Sequence, residues 1–503
     1  MEFHLSRGSA ELEWVTPGTF RFSRWWGNRL EAPQPKQRPS VAFEAEDRRE
    51  EVVFRTEQLA VTVRKMGVLL RVDGADGVPL MADASEILPR KGGFQWEREA
   101  QAGTRYFGLG RRADATLDAR GRRLRAEEPF LVASRGYAEQ HLASGSYTFD
   151  LAHSRTDRYG IEVEGADHIE YCFYFGPSIK EMFERRLEVE GPPKRITVED
   201  LGLLAWLTPG MLRRPGVANE RTGGGTWSDL RDSLLKLVHG SLSGTLLGEF
   251  DLAPFLGSRA ELYDRALQLA TLVPVLRGAA ASSLRRRLTP YLLTYAEEAR
   301  ERGYPIIRSL PFQFPRDAEA STRADQFMLG DELLAAPIYT PDGTRTVYLP
   351  QGIWTDFATN EVRTGRRTIR ISKPDGGAPP LFARNGSIVP LAPEPGSGPM
   401  VLHYFPRLGG EFFIYESDLE DYSQVHAAPA GSYLRLEIES KKTREYEWIV
   451  HHVERPKAVS AGLWRYDDAL RNLHVGCRAR AGEDLIVNIA MPDPIAGGGP
   501  ATQ

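Results

Sequence analysis

The sequence predicts a multi-domain chain of mixed class, α/β plus all-β, with a β-rich N-terminal domain, a β/α middle and two β-rich domains after it. Three observations predict this order. The length of 503 residues suits about three or four domains of ordinary size. Apolar residues alternate with polar ones up to about position 175, take helical spacing after Gly176-Pro177, and alternate again from about Gln326. The apolar fraction of 41%, with 22 Phe, 18 Tyr and 9 Trp, can fill several cores.

Taken in order, the first domain shows short alternating runs: FRFSRWW, VVFRTEQLAVTVRKMGVLLRVDG, SGSYTFDLA and HIEYCFYFG. Gly, Pro and Asp clusters break them, as expected of a β-sandwich. EAPQPKQRPS (31–40) reads as a surface loop. Helices are expected at SIKEMFERRLEV, TWSDLRDSLLKLVHGSL (226–242) and SRAELYDRALQLATLVPVL (258–276). The last two open on Thr or Ser with an acid shortly after, a helix-start signature. GTLLGEFDL and YPIIRSLPF read as strands, and ASSLRRRLTPYLLTYAEEARERG as a helix stopped by Gly303. Strands alternating with helices imply parallel β/α units. From QFMLGDELLAAPIY onward the runs are β again, APEPGSGPM (392–400) marks a boundary between two β domains, and the AGGGPATQ tail reads as disordered.

Composition excludes several classes. A net charge of −4 gives no basic surface for nucleic acid or an anionic membrane. Cys172 and Cys477 lie far apart and outside any CxxC or Cys/His cluster, so neither a disulfide framework nor a zinc site is expected, and no cofactor is implied. The stretch MEFHLSRGSAELEWV lacks the apolar core of a signal peptide, and no apolar run reaches bilayer length. A soluble cytoplasmic protein without a metal is the expectation.

A set of motifs then narrows the reading. Tyr106-Phe107-Gly108-Leu109-Gly110 is followed by Leu117-Asp118-Ala119-Arg120-Gly121, and Gly176-Pro177-Ser178 precedes a helix. LLAWLTPGMLRR (203–214), Asp251-Leu252-Ala253-Pro254-Phe255 and Pro274-Val275-Leu276-Arg277 come next. LTPYLLTYAEEARERGYPIIRSLPFQFP, QFMLGDELLAAPI, VYLPQGIWTDF and PLFARNGSIVPL complete the series. In this order they resemble glycoside hydrolase family 31, the α-glucosidase and α-xylosidase family. The resemblance implies an N-terminal β-sandwich, a TIM-type (β/α)8 barrel and two small C-terminal β domains. On that basis the expected domains are 1–175, 176–337, 338–395 and 396–503.

The resemblance also exposes departures. A complete barrel takes about 250 residues, whereas positions 176–337 give roughly 160, or about five β/α units. A reduced, partial barrel is therefore expected, with GPPKRITVEDLG standing where the family has its first strands. Family members retain configuration with two carboxylates about 5 Å apart. The "DMNE"-like segment that carries the nucleophile has no counterpart. RTGGGTW (221–227) stands where "GDNxxxW" carries the acid/base, and glycine transfers no proton. Gly278 and Ala279 follow Arg277 where the family has a histidine, and Arg111 replaces the glutamate of "GLGE".

Each candidate residue has a plainer reading beside the functional one. Gly223-Gly224-Gly225 lacks the Lys of a phosphate loop and reads as a strand-to-helix turn. Asp251, by analogy at the C-terminal end of a barrel strand, is either a sugar-hydroxyl ligand or a turn residue. Glu249 alternates with Asp251 and shares its side of the strand, and Glu220 precedes the glycines. These three are the weak catalytic candidates. Arg277 either binds a sugar hydroxyl or makes a structural ion pair, with Asp251 as its expected partner. Trp227 either stacks on a sugar or begins a helix core, and Asp229 and Asp232 suit the start of that helix. His451-His452 is expected at a partly exposed surface.

The leading expectation is a family-31-like protein without hydrolase activity, binding a carbohydrate or acting as a regulatory or assembly partner. One alternative is an active retaining α-glycosidase with rebuilt acids, and another is an incomplete gene product. Unpaired edges of a shortened barrel invite a second strand, so a homodimer or a partner subunit is expected there.

Overall fold

The computed structural model describes residues 2–4, 8–26, 40–193, 195, 225–278, 282–372, 378–393, 398–415 and 422–493. Glu220, Gly223, Gly224, the segment 203–214, most of GPPKRITVED, most of the loop at 31–40 and the C-terminal tail lie outside the described residues. The chain divides into two compact units: Met1–Pro192 with His239–Gly244 and Arg302–Tyr304, and Pro193–Val238 with Thr245–Glu301 and Pro305–Gln503.

The first unit contains a seven-stranded and two five-stranded sheets, all antiparallel. Alternation places every second side chain inside, as in Ser146–Leu151 and Leu59–Arg64. Phe20, Phe22, Phe54, Trp96, Phe149 and Phe173 belong to one continuous core. That core encloses charge. Arg98 is fully buried, pairs with Glu139 and donates to Asp83 at 3.1 Å, while Tyr159 donates to Glu139 at 2.9 Å. Its guanidinium lies 4.8 Å from the Tyr171 ring centroid. Buried charge must be paired, and here the pairing joins residues from two sheets and Asp83, just after the strand Pro79–Ala82 of the third. The helix α1 (Ile179–Glu190) opens on Ser178 with a complete capping box to Glu181.

In the second unit, α2 (Trp227–Ser241) opens on Thr226. The Thr226 backbone N–H donates to the Asp229 carboxylate at 2.9 Å, and the Asp229 N–H donates back to Thr226 Oγ1 at 3.2 Å. This is the expected helix start. The strand Glu249–Asp251 leads through α3 (Ala260–Leu272) to the strand Val275–Arg277, parallel to the first. Helix α3 differs from expectation at its start, where Arg259 rather than Ser258 is the N-cap and makes no side-chain cap bond. Two further helices, α4 (Ser283–Arg287) and α5 (Thr289–Arg302), follow.

Among the described residues the β/α order then stops, within the limit of about five units that the length allows. Ile307–Ser309, within YPIIRSLPF, pairs antiparallel with Phe327–Leu329 and opens a six-stranded sheet. The hairpin of Phe327–Leu329 and Leu333–Ala335, turning at Gly330 with φ +63°, supplies the edge that takes it. Among the described residues, the parallel sheet of the middle segment has two strands. The six-stranded sheet includes Leu381–Arg384, so the expected boundary at 337/338 falls inside it.

The last part is two five-stranded sheets with inward-facing Leu402, Trp448, Val475, Val425, Leu436 and Ile489. Ile388–Leu391 pairs with Met400–Tyr404, so APEPGSGPM joins two strands of one sheet. His451 is buried, contrary to the surface position expected for it: its Nδ1 lies 2.7 Å from Asn360 Oδ1 and its Nε2 2.9 Å from His403 Nδ1. Burial holds His403 down at about 3.

Candidate active site

The site begins with two three-residue strands side by side. Their register sets Glu249 opposite Val275 and Asp251 opposite Arg277. Asp251 and Arg277 are nevertheless not ion partners. Arg277 reaches diagonally to Glu249, whose side chain is 2% exposed against 27% for Arg277. The pairing expected with Asp251 is corrected accordingly. A buried carboxylate attracts the nearest cation more strongly than a half-exposed one, because water does not screen it. Desolvation lowers the Arg277 guanidinium below its usual range.

Asp251 is used locally. Its Oδ1 accepts the backbone N–H of Ala253 at 2.9 Å, an Asx turn that starts the short helix Ala253–Phe255. Gly278, at φ +79°, is required by the same turn: a Cβ there would lie 2.5 Å from Ala253 N and 2.6 Å from Asp251 Oδ1. The residue after Arg277 therefore follows from packing against the Asp251 turn.

Gly225 closes on this loop. It has φ +64°, a Cβ on it would meet Pro254 O at 2.3 Å, and Ser258 Oγ donates to its carbonyl at 3.4 Å. The last glycine of RTGGGTW is thus a tight turn packed against the segment after Asp251. Trp227 is half-buried at the first position of α2, and Asp229 belongs to the capping box. The structure brings Glu249, Asp251, Arg277 and Gly225 into one neighbourhood. Neither of two cavities, about 810 Å³ at Val15–Pro17, Ser40–Glu44 and Arg55–Glu57 and about 250 Å³ at Tyr422 and Asp484, is lined by these residues. Among the described residues, no group of three or more His, Cys, Asp and Glu can hold a metal.

A second charged cluster escaped the sequence reading. Arg308, fully buried, pairs with Asp331 and Glu298 and lies 5.0 Å from the Tyr295 ring centroid. Tyr291 donates to Glu332 Oε2 at 2.8 Å, and Tyr295 donates to the same oxygen. Burial and the neighbouring Asp331 push the Glu332 carboxyl up to about 7. Lone charges inside the apolar runs YPIIRSLPF and QFMLGDELLAAPI were the available signal.

Along the chain, β-rich segments precede and follow a short β/α segment. Residues 303–389 match the Glycosyl hydrolase family 31 C-terminal domain. The chain is 30% identical to α-glucosidase 2 of Bacillus thermoamyloliquefaciens over 278 residues, 49% of this chain and 34% of that protein. It is 36% identical to the 1,6-α-glucosyltransferase of Sporosarcina globispora over 154 residues, 26% of this chain and 12% of that protein. The matched part thus spans about a third or less of these relatives' length. A Flavobacterium johnsoniae GH31 dextranase complexed with isomaltotriose superposes with a TM-score of 0.79 at 14% identity, covering 96% of this chain and 97% of that one. A Xanthomonas citri GH31 α-xylosidase gives 0.75 at 12% identity, covering 97% and 99%. The chain is thus similar to glycoside hydrolase family 31 proteins in the C-terminal domain that the family model matches and over about half of its length. No helix among the described residues is long and apolar enough to cross a membrane.

Proposed function

We propose that this family-31-like chain does not hydrolyse glycosides and acts through carbohydrate binding or a protein partner. One observation carries the reading: both carboxylates at the paired strand ends have structural partners. Glu249 is buried against Arg277, and Asp251 holds the Ala253 turn. A retaining pair needs one carboxylate free to attack and one to move a proton, facing each other across about 5 Å of open site. Two residues of one short strand, both already engaged, do not supply that. The half-exposed Asp251 and the 27%-exposed side chain of Arg277 remain suited to a sugar hydroxyl.

The test is hydrolysis of a panel of aryl α-glycosides (glucoside, xyloside and galactoside) by the purified chain, with Asp251→Asn beside it. Turnover at background in both is expected. Turnover that Asp251→Asn abolishes would overturn the reading and establish an α-glycosidase with rebuilt acids.

A further inference from the structure

The outer face of the sheet formed by Gly410–Tyr415, Tyr422–Ala430, Tyr433–Glu439 and Asp484–Ala490 carries a row that packing leaves unexplained. The register lines up Phe413, Gln424, Glu439 and Asp484 across four strands. Phe413 is 37% exposed and Tyr422 40%. Their rings meet edge to face, with centroids 5.4 Å apart, and Tyr415 lies 5.6 Å from Tyr422. A cavity of about 250 Å³ opens beside Tyr422, lined among others by Gln424, Glu439, Lys441, Glu483 and Asp484. That volume lies just below the about 300–1,000 Å³ common for small-molecule sites.

Glu439 and Asp484 stand directly opposite each other on neighbouring strands. Like charges in that position destabilise a sheet. Carboxylates accept hydrogen bonds without donating, so an occupant of this cavity must bring donors. The aromatic rings call for an apolar face on the same occupant, and Lys441 adds a donor for its oxygens. A pyranose ring has an apolar face bordered by hydroxyl groups that both donate and accept. We propose that this cavity is a second carbohydrate site, which takes a neutral hexose oligosaccharide with one ring stacked on Tyr422 and its hydroxyls bound by Glu439 and Asp484. The inference shares the carbohydrate-binding reading made above but rests on different residues.

Isothermal titration with maltotriose and with isomaltotriose tests it, on the full chain and on Tyr422→Ala, Glu439→Gln and Asp251→Asn. Thermal melts check that each variant is folded; Tyr422 and Glu439 are exposed, so folding is expected to survive. The expected result is saturable binding that weakens about tenfold or more in Tyr422→Ala and in Glu439→Gln. Glu439→Gln is also expected to raise the melting temperature, since it removes one of two opposed charges. Binding that survives Tyr422→Ala and Glu439→Gln but is lost in Asp251→Asn overturns this inference and supports the strand-end site. Absence of binding to either sugar at millimolar concentration overturns both.

Discussion

Arg277 reaches past its cross-strand neighbour to Glu249, and that choice sets what the site can do. Removing the cation while Glu249 stays buried leaves an uncompensated charge. Arg277→Ala is therefore expected to destabilise by about 3 kcal/mol in urea unfolding, and replacing both residues by Leu to recover most of the loss. Equal stability of the single and double variants would contradict a buried pair. Asp83 behaves differently. Burial is the largest influence on it and raises its carboxyl to about 6 despite the attraction of Arg98. The folded chain thus takes up a proton that the unfolded chain, near 3.9, does not hold between pH 4 and 6. The resulting stability is complete below about pH 4 and is lost as pH rises through about 6. His239, lowered to about 4 by burial, works the other way over part of that range. The clean observable is the difference in melting temperature between Asp83→Asn and the parent chain. It should shift in favour of Asp83→Asn as pH rises from 4 to 7, and a flat difference would show that Asp83 does not titrate there.

Helix α2 and its preceding turn show how far short-range signals reach. Thr226 and Asp229 form the capping box that the sequence pattern announces. Thr226→Ala is expected to cost about 1 kcal/mol in chemical denaturation. Gly225→Ala should cost more than that cap, because its φ is positive and the new Cβ would meet the Pro254 carbonyl. A smaller loss would mean that the turn relaxes away from Pro254. The strand at Ile307–Ser309 shows the opposite case. Its apolar run identifies a strand, yet nothing local states which neighbour it takes or in which direction. Strand pairing depends on where a free edge lies in space, and the hairpin at Phe327–Ala335 supplied it. The buried Arg98 group was illegible for the same reason, since its members come from distant strands.

For the molecule as a whole, the parallel sheet, which has two strands among the described residues, departs most from a closed barrel. A closed barrel pairs all its edges, whereas a short open sheet leaves backbone groups available to another strand. We infer that a second copy of the chain covers that edge. Light scattering at micromolar concentration should then give the mass of a dimer, twice the 56.2 kDa of the chain. A monomer at that concentration would remove this part of the proposal.

The sequence by itself determined most of the strands and helices, the capped start of α2 and the resemblance to glycoside hydrolase family 31. All of these rest on residue type and short spacing, which act within a few positions along the chain. Only the tertiary structure decided that Arg277 serves Glu249 rather than Asp251, that His451 is buried, that Ile307–Ser309 turns antiparallel, and that Phe413, Gln424, Glu439 and Asp484 share one row. Partners of this kind are chosen by distance and burial after the chain has folded, so residues far apart in sequence become neighbours that no local pattern names.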